Sequence, residues 1–323
     1  MKKRILWILE KMNVRQATMT IADRFFFLTL SLYFSLLLAT TSGFSQSETF
    51  QPYILLGETG KNFDGTEEAI IQKFFMNDVE ILGRYRPVDD SGRYMFIITT
   101  KHLKKAARNG GDYGLFIGVL HLALDLKGDM VYLSVPNIDY WGNLYLQDDF
   151  AKVGKAVGEF KTDLPRLLPQ LRGRFMRPFG ASEPLTSEKL KTYRHSRRYP
   201  TRDEMIELGQ FEQHVDAVKF VEESLESSKG LGKLYRFDIM RKDATLFGVQ
   251  IPQESEIAEI LDRDERKRTP FYPWQIAIVE GRIFTPAPLF RIPAGFPDLT
   301  RRQVSKLKKL AKHIENSVLE LGR

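Results

Sequence analysis

The chain has 323 residues, enough for about two domains of ordinary size, and no cysteine, which excludes a disulfide framework, a thiolate zinc site and a cysteine nucleophile. Its composition, 43% hydrophobic and 28% charged, is that of a globular protein. The formal charge of +7 is unevenly spread: residues 1–45 take six basic and two acidic residues from totals of 48 and 41, leaving 42 against 39, which is not the footprint of a nucleic-acid binder.

Residues 25–44 form an uncharged apolar run of membrane-spanning length, preceded by Arg24 and followed by small and polar residues. Residues 1–45 read as a signal peptide, with Gly43 and Ser45 at the small-residue positions of a cleavage site and Gln46 as the new N-terminus. An uncleaved N-terminal anchor is the alternative, and Met12 or Met19 are alternative starts. Either way the remainder is expected to be exported, to the periplasm, with membrane contact only through residues 25–44 if they stay.

A first unit is expected over 46–171. Residues 51–58 read as a strand and 66–76 as a helix capped by Thr66; 80–86 and 93–100 read as two strands, and 101–108 as a brief basic helix or loop. Residues 115–126 and 130–135 read as a hairpin turning around Lys127-Gly128. In it Leu120, Leu122, Leu124 and Leu126 share one face, and His121, Ala123 and Asp125 the other. Asp148 or Asp149 is expected to cap a helix running from Phe150 to Leu164.

Residues 172–202 carry nine basic residues, two acidic ones and three prolines without apolar periodicity, and read as a basic linker. Arg194, Arg197 and Arg198 are its candidates for contact with acidic lipid headgroups or an anionic partner.

A second unit is expected over 203–323: a strand at 203–209, a helix at 214–227, strands at 233–238 and 244–251, a short helix at 254–261, a hairpin of 274–279 and 282–289 around Glu280-Gly281, and a long amphipathic helix at 300–321. The two units then share one order, strand, helix, strand, strand, short helix, strand, strand, helix. Met95-Phe96 answers Leu246-Phe247, Leu82-Gly83-Arg84 answers Leu231-Gly232-Lys233, and Leu126-Lys127-Gly128-Asp129 answers Val279-Glu280-Gly281-Arg282. The fold class is therefore α+β: two repeated domains, each an antiparallel sheet packed by helices.

The second unit resembles the bacterial domain-of-unknown-function family numbered 302, through VKFVEESLESSKGLGKLYRFDI, ATLFGVQIPQESEIAEIL and PWQIAIVEGRIFTPAPL; the first matches mainly through RYMFIITT and LDLKGDMVYLSV. The resemblance implies a small α+β fold, often dimeric, so that two copies in one chain would mimic such a dimer. Relatives often carry a cysteine in the strand-Pro segment, and Val249-Gln250-Ile251-Pro252 has none.

The five histidines show no metal-ligand spacing, and neither a nucleophile elbow nor a phosphate-binding glycine loop is present. No metal and no cofactor is expected. His121 is either a hydrogen-bond-satisfied or solvent-facing histidine or, if its face lines a groove, a ligand contact. Tyr140, Trp141 and Asn143, in an aromatic segment after the hairpin, and Tyr272 and Trp274 in the second unit, either stack on a ring-bearing ligand or plug the end of a sheet. With no catalytic constellation, the leading expectation is a non-enzymatic module for a small ligand or a protein. The alternative is a hydrolase-like or other enzyme with a groove between the repeats, using His121 and Tyr140 for acid-base work.

Overall fold

A computed structural model describes residues 48–323, apart from Lys61, Arg174, Phe175, Met240, Arg241, 263–265 and Arg323. The expected signal peptide or anchor lies outside the described residues. Among those described, no helix is long and apolar enough to cross a membrane. Residues 48–323 form one compact unit built on two antiparallel sheets.

The first sheet comprises β2 (Tyr53–Thr59), β3 (Glu80–Tyr85), β4 (Arg93–Thr99), β5 (Leu120–Lys127), β6 (Met130–Pro136) and β7 (Arg177–Phe179), in the order β3-β4-β5-β6-β2-β7. The second comprises β9 (Ile206–Gln210), β10 (Gly232–Asp238), β11 (Ala244–Gln250), β12 (Trp274–Val279) and β13 (Arg282–Thr285), in the order β10-β11-β12-β13-β9. Without β7 the two orders are the same connectivity. The bulges agree as well: Leu56 is passed over in the β2–β6 ladder and Leu208 in β13–β9, Leu82 in β3–β4 and Leu234 in β10–β11. A two-strand pair of β1 (Thr49–Phe50) with β8 (Leu185–Thr186) lies apart.

The helices follow the same order in each half. The first half has α1 (Phe63–Met76), α2 (Lys101–Asn109), α3 (Ile138–Leu146) and α4 (Phe150–Asp163). After α5 (Ser187–Lys191), the second has α6 (His214–Ser227), α7 (Glu254–Leu261), α8 (Pro288–Gly295) and α9 (Arg301–Leu319). α9 follows its expected stripe, with Leu307, Leu310, Ile314 and Val318 buried and a capping box between Thr300 and Gln303. Both caps expected in the first half are corrected. Asn62, not Thr66, caps α1, accepting from Gly65 N at 2.9 Å, while Thr66 is buried. Asp149 stands at the cap position of α4 but makes no capping bond; it pairs with Lys152 at 2.7 Å, and Asp148 with Lys191 at 2.8 Å.

The second hairpin turns at Glu280-Gly281, where φ values of 50° and 80° give the twist that matches paired strands. The first turns one residue later than expected, at Gly128-Asp129, because Lys127 pairs with Met130. The first hairpin begins later, and the second ends earlier, than the sequence suggests. Residues 112–117 form a 3-10 turn rather than the start of a strand, and the chain beyond Thr285 enters α8 rather than extending β13. The ladders also correct one match between the halves: Met95-Phe96 and Leu246-Phe247 do occupy equivalent positions, but the bulges set Leu82 against Leu234, not Leu231. Residues 172–202, expected as a linker, carry β7, β8 and α5, and bury Leu190 and Tyr199.

The alternation in β5 sorts the core. Leu120, Leu122 and Leu124 pack with Ile70 and Phe74 of α1 on one side. His121 and Ala123 point the other way, into a core shared with the second sheet, where Tyr235, Leu246, Ala277 and Phe284 lie. The face expected to be open is thus buried as well, because the second half covers it. The halves exchange contacts in matching fashion. Phe116, in the 3-10 turn of the first half, meets Phe284 at 6.3 Å, and the 3-10 turn Thr269–Phe271 of the second half packs on β5. Tyr145 of α3 meets Phe290 of α8 at 5.9 Å. Such reciprocity is what a two-fold arrangement requires. At one side a buried polar cluster joins the halves: Arg93 binds Asp262 at 2.5 Å, and Thr269 hydrogen-bonds Asp125.

Candidate functional site

A partly open cavity of about 50 Å³ lies in the shared core. His121 on β5 and Gln275 on β12 line it from equivalent positions, paired in register with Ile97 of β4 and Gly248 of β11. Trp141 on α3 and Arg291 on α8 line it next, each the same number of residues beyond the equivalent hairpin positions Ser134 and Phe284. Phe116, Phe271 and Tyr145 complete the inner wall, while Pro136 and Ile138 are the partly exposed residues at its outer end. The chamber therefore lies where the two halves face each other, and equivalent positions carry different residues: histidine against glutamine, tryptophan against arginine.

Arg291 is carried by α8, a short helix that starts at Pro288, where the missing N–H is no loss, and is buried almost throughout. Arg291 is 3% exposed. Its Nη2 donates to the carbonyl oxygens of Phe271 and Pro273 at 2.9 and 2.7 Å, and it stacks on the Phe271 and Trp274 rings at 4.9 and 4.6 Å. Its Nη1 has no hydrogen-bond partner among the described residues, and none of the lining residues is acidic. Burial lowers its pKa from the free value, without a carboxylate to oppose that. The ring contacts offset part of the cost of burying the charge, but an unpaired buried cation still costs several kcal/mol.

His121 is 5% exposed. Its Nδ1 lies 3.3 Å from the Pro270 carbonyl oxygen, which can only accept, so Nδ1 carries the hydrogen and Nε2 presents a lone pair. Nε2 has no partner among the described residues. Burial first, and then the Arg291 charge, push the imidazole down to about 3, so the ring is neutral near pH 7. The Tyr145 hydroxyl is also buried without a partner among the described residues, and burial raises its pKa to about 12. Gln275 is engaged, donating to the Tyr235 hydroxyl at 3.2 Å.

The other candidates divide. Trp141 lines the chamber and donates from Nε1 to Pro52 O at 2.9 Å. Trp274 lies under the Arg291 guanidinium and donates to Thr285 Oγ1 at 2.8 Å. Tyr140 is fully buried away from the chamber lining, its hydroxyl donating to Ala294 O at 2.9 Å and its pKa raised by burial. Asn143 donates to Asp139 O at 2.7 Å within α3, and Tyr272 reaches Glu254 O at 3.5 Å. Arg194 pairs with Glu204 at 3.0 Å on the surface, while Arg197 and Arg198 are exposed. Arg291 and Gln275 were not singled out by the sequence, and Tyr145 only as the end of the aromatic segment 140–145; the available signal for Arg291 was one arginine inside the apolar run PLFRIPAGF. Among the described residues no cluster of side chains fits a metal ion.

The wall can hold a ligand more readily than transform one. A neutral imidazole that protonates only near pH 3 is a poor base at neutral pH, the tyrosine hydroxyl is held firmly protonated, and no carboxylate lines the space. A larger open groove of about 910 Å³, bounded by Tyr132, Ser134, Arg177 and Lys267, lies at the surface and includes neither Arg291 nor His121 in its wall.

No protein-family model matches the chain, and no curated protein does. A solved structure described as an uncharacterized conserved protein DUF302 from Bacillus stearothermophilus is similar over 37% of this chain and 96% of its own, at 20% identity and a TM-score of 0.27.

Proposed function

We propose that the protein is a binding module whose ligand sits in the chamber between the two sheets, in an exported chain made of two copies of a fold of the domain-of-unknown-function 302 kind. The observation that carries the binding reading is that Arg291 and His121 both line one cavity and each holds a buried nitrogen, Nη1 and Nε2, unpartnered among the described residues. Buried polar atoms are nearly always hydrogen-bonded, and two left open on a shared space mark a place built for something else. The common strand order, the matching bulges and the reciprocal contacts support the duplication, and with it an internal pseudo-dimer in a single chain. Export rests on residues 25–44 alone.

The enzyme alternative needed His121 and Tyr140 to work as an acid-base pair across a groove. Tyr140 spends its hydroxyl on Ala294 O, and His121 faces a cation rather than a carboxylate, so that arrangement finds no support. Native mass spectrometry of the protein purified from its own host tests the binding reading. A bound small molecule that is released on denaturation is the expected result; the mass of the bare chain contradicts it.

A further inference from the structure

The chemistry of the chamber's ligand follows from which hydrogens and lone pairs its wall leaves open. Arg291 offers N–H hydrogens on Nη1 and a positive charge that no lining carboxylate balances. One negative charge on the ligand would neutralise the buried cation, whereas a dianion would leave a net charge in the core. His121 offers the opposite of a donor. With Nδ1–H committed to Pro270 O, its Nε2 lone pair repels a second bare oxyanion and asks for a hydrogen. Tyr145, with its unpartnered hydroxyl, suits either an acceptor or a donor. The space is about 50 Å³, several times the roughly 10–15 Å³ that one water needs on the same measure, so it accepts only a few heavy atoms.

We propose that the chamber takes a small monovalent oxyanion carrying its own O–H, such as a short 2-hydroxycarboxylate or hydrogen carbonate, with a charged oxygen on Arg291 Nη1 and the O–H given to His121 Nε2. The proposal rests on the chamber being a ligand site. It assigns the charge to α8 and the hydroxyl to β5, one anchor from each half of the molecule.

The test is isothermal titration calorimetry on the full chain, lacking residues 1–45 only where the host removes them, with four probes: glycolate, acetate, hydrogen carbonate and glycolamide. Glycolate is expected to bind roughly tenfold more tightly than acetate, which lacks the O–H, and glycolamide, which lacks the charge, is expected not to bind measurably. Binding of hydrogen carbonate in place of glycolate keeps the chemistry and identifies the smaller source. His121→Phe, which has no lone pair to accept the O–H, is expected to bring glycolate to the level of acetate, and Arg291→Gln to abolish both. Should Arg291→Gln fail to fold, the comparison of the four probes on the unaltered protein still decides. Equal affinity for glycolate and acetate overturns the role of His121, and binding of glycolamide as tight as glycolate overturns that of Arg291. If no probe binds but the host-purified protein carries a neutral molecule, the oxyanion is overturned while the chamber reading stands. If no probe binds and the host-purified chain is bare, both fall.

Discussion

At Arg291, Asp125 and Tyr140 the physical consequences are specific to single groups. Tyr140→Phe removes one buried hydrogen bond, the one its hydroxyl donates to Ala294 O. A loss of about 1–3 kcal/mol in urea unfolding is expected, with ligand retention unchanged. Loss of the ligand in this variant would contradict a purely structural role for the Tyr140 hydroxyl. Asp125, buried and hydrogen-bonded by Thr269, has its carboxyl pushed up to about 7, chiefly by burial. A carboxyl whose pKa is raised in the folded state contributes stability that is fully present below its unfolded value near 4, and that is lost as pH rises through about 7. Asp125→Asn removes that dependence. Measured as the difference from the unaltered protein, the variant is expected to gain relative stability between pH 5 and pH 8 in parallel urea titrations. A difference that stays flat across that range contradicts the raised pKa. His121 acts in the opposite sense, since its depressed pKa favours the fold above its unfolded value, but it is common to both proteins and cancels in the difference.

Elements show how much the sequence carries. The period-two pattern of β5, the Glu280-Gly281 turn and the stripe of α9 are local signals, and each folds as its residues suggest. α3 and α8 are not legible in this way. Both are buried on nearly every side, so no polar face marks a helical period, and Pro293 with Gly142 reads as punctuation rather than as helix. These two helices carry Trp141, Tyr145 and Arg291; Trp141 stood out in the sequence by its aromatic surroundings, whereas Arg291 was hidden with α8. His121 was found because it interrupts leucines, but its neighbour across the chamber, Gln275, is an ordinary strand residue until the second sheet is seen opposite. Two substitutions test the elements themselves. Thr300→Ala, which removes the α9 capping box, is expected to cost about 1 kcal/mol. Gly281→Ala is expected to cost on the order of 1–3 kcal/mol or more, because φ is 80° and an added Cβ would lie 2.2 Å from Phe211 O. Thermal unfolding that ranks Gly281→Ala as the milder of the two would contradict the geometry of the turn.

At the scale of the whole molecule, the two halves depend on one another. Faces that would be open in either half alone, including that of His121 and Ala123, are closed only by the other sheet. Limited tryptic cleavage at the exposed Arg197 and Arg198 is therefore expected to leave two fragments that co-elute as one body in size-exclusion chromatography without denaturant, separating only in urea. Fragments that part without denaturant would contradict a shared core. The same closure forms the chamber, whose wall carries a histidine where the equivalent strand position of the other sheet has a glutamine, and a tryptophan where the equivalent helix position has an arginine.

A high-resolution crystal structure of the protein purified from its own host tests whether the junction of the two sheets holds a molecule. The expected result is density for a small non-water molecule within hydrogen-bond distance of both Arg291 Nη1 and His121 Nε2. Density for isolated waters alone at those two nitrogens, or an Arg291 side chain turned to a surface carboxylate, would contradict the account.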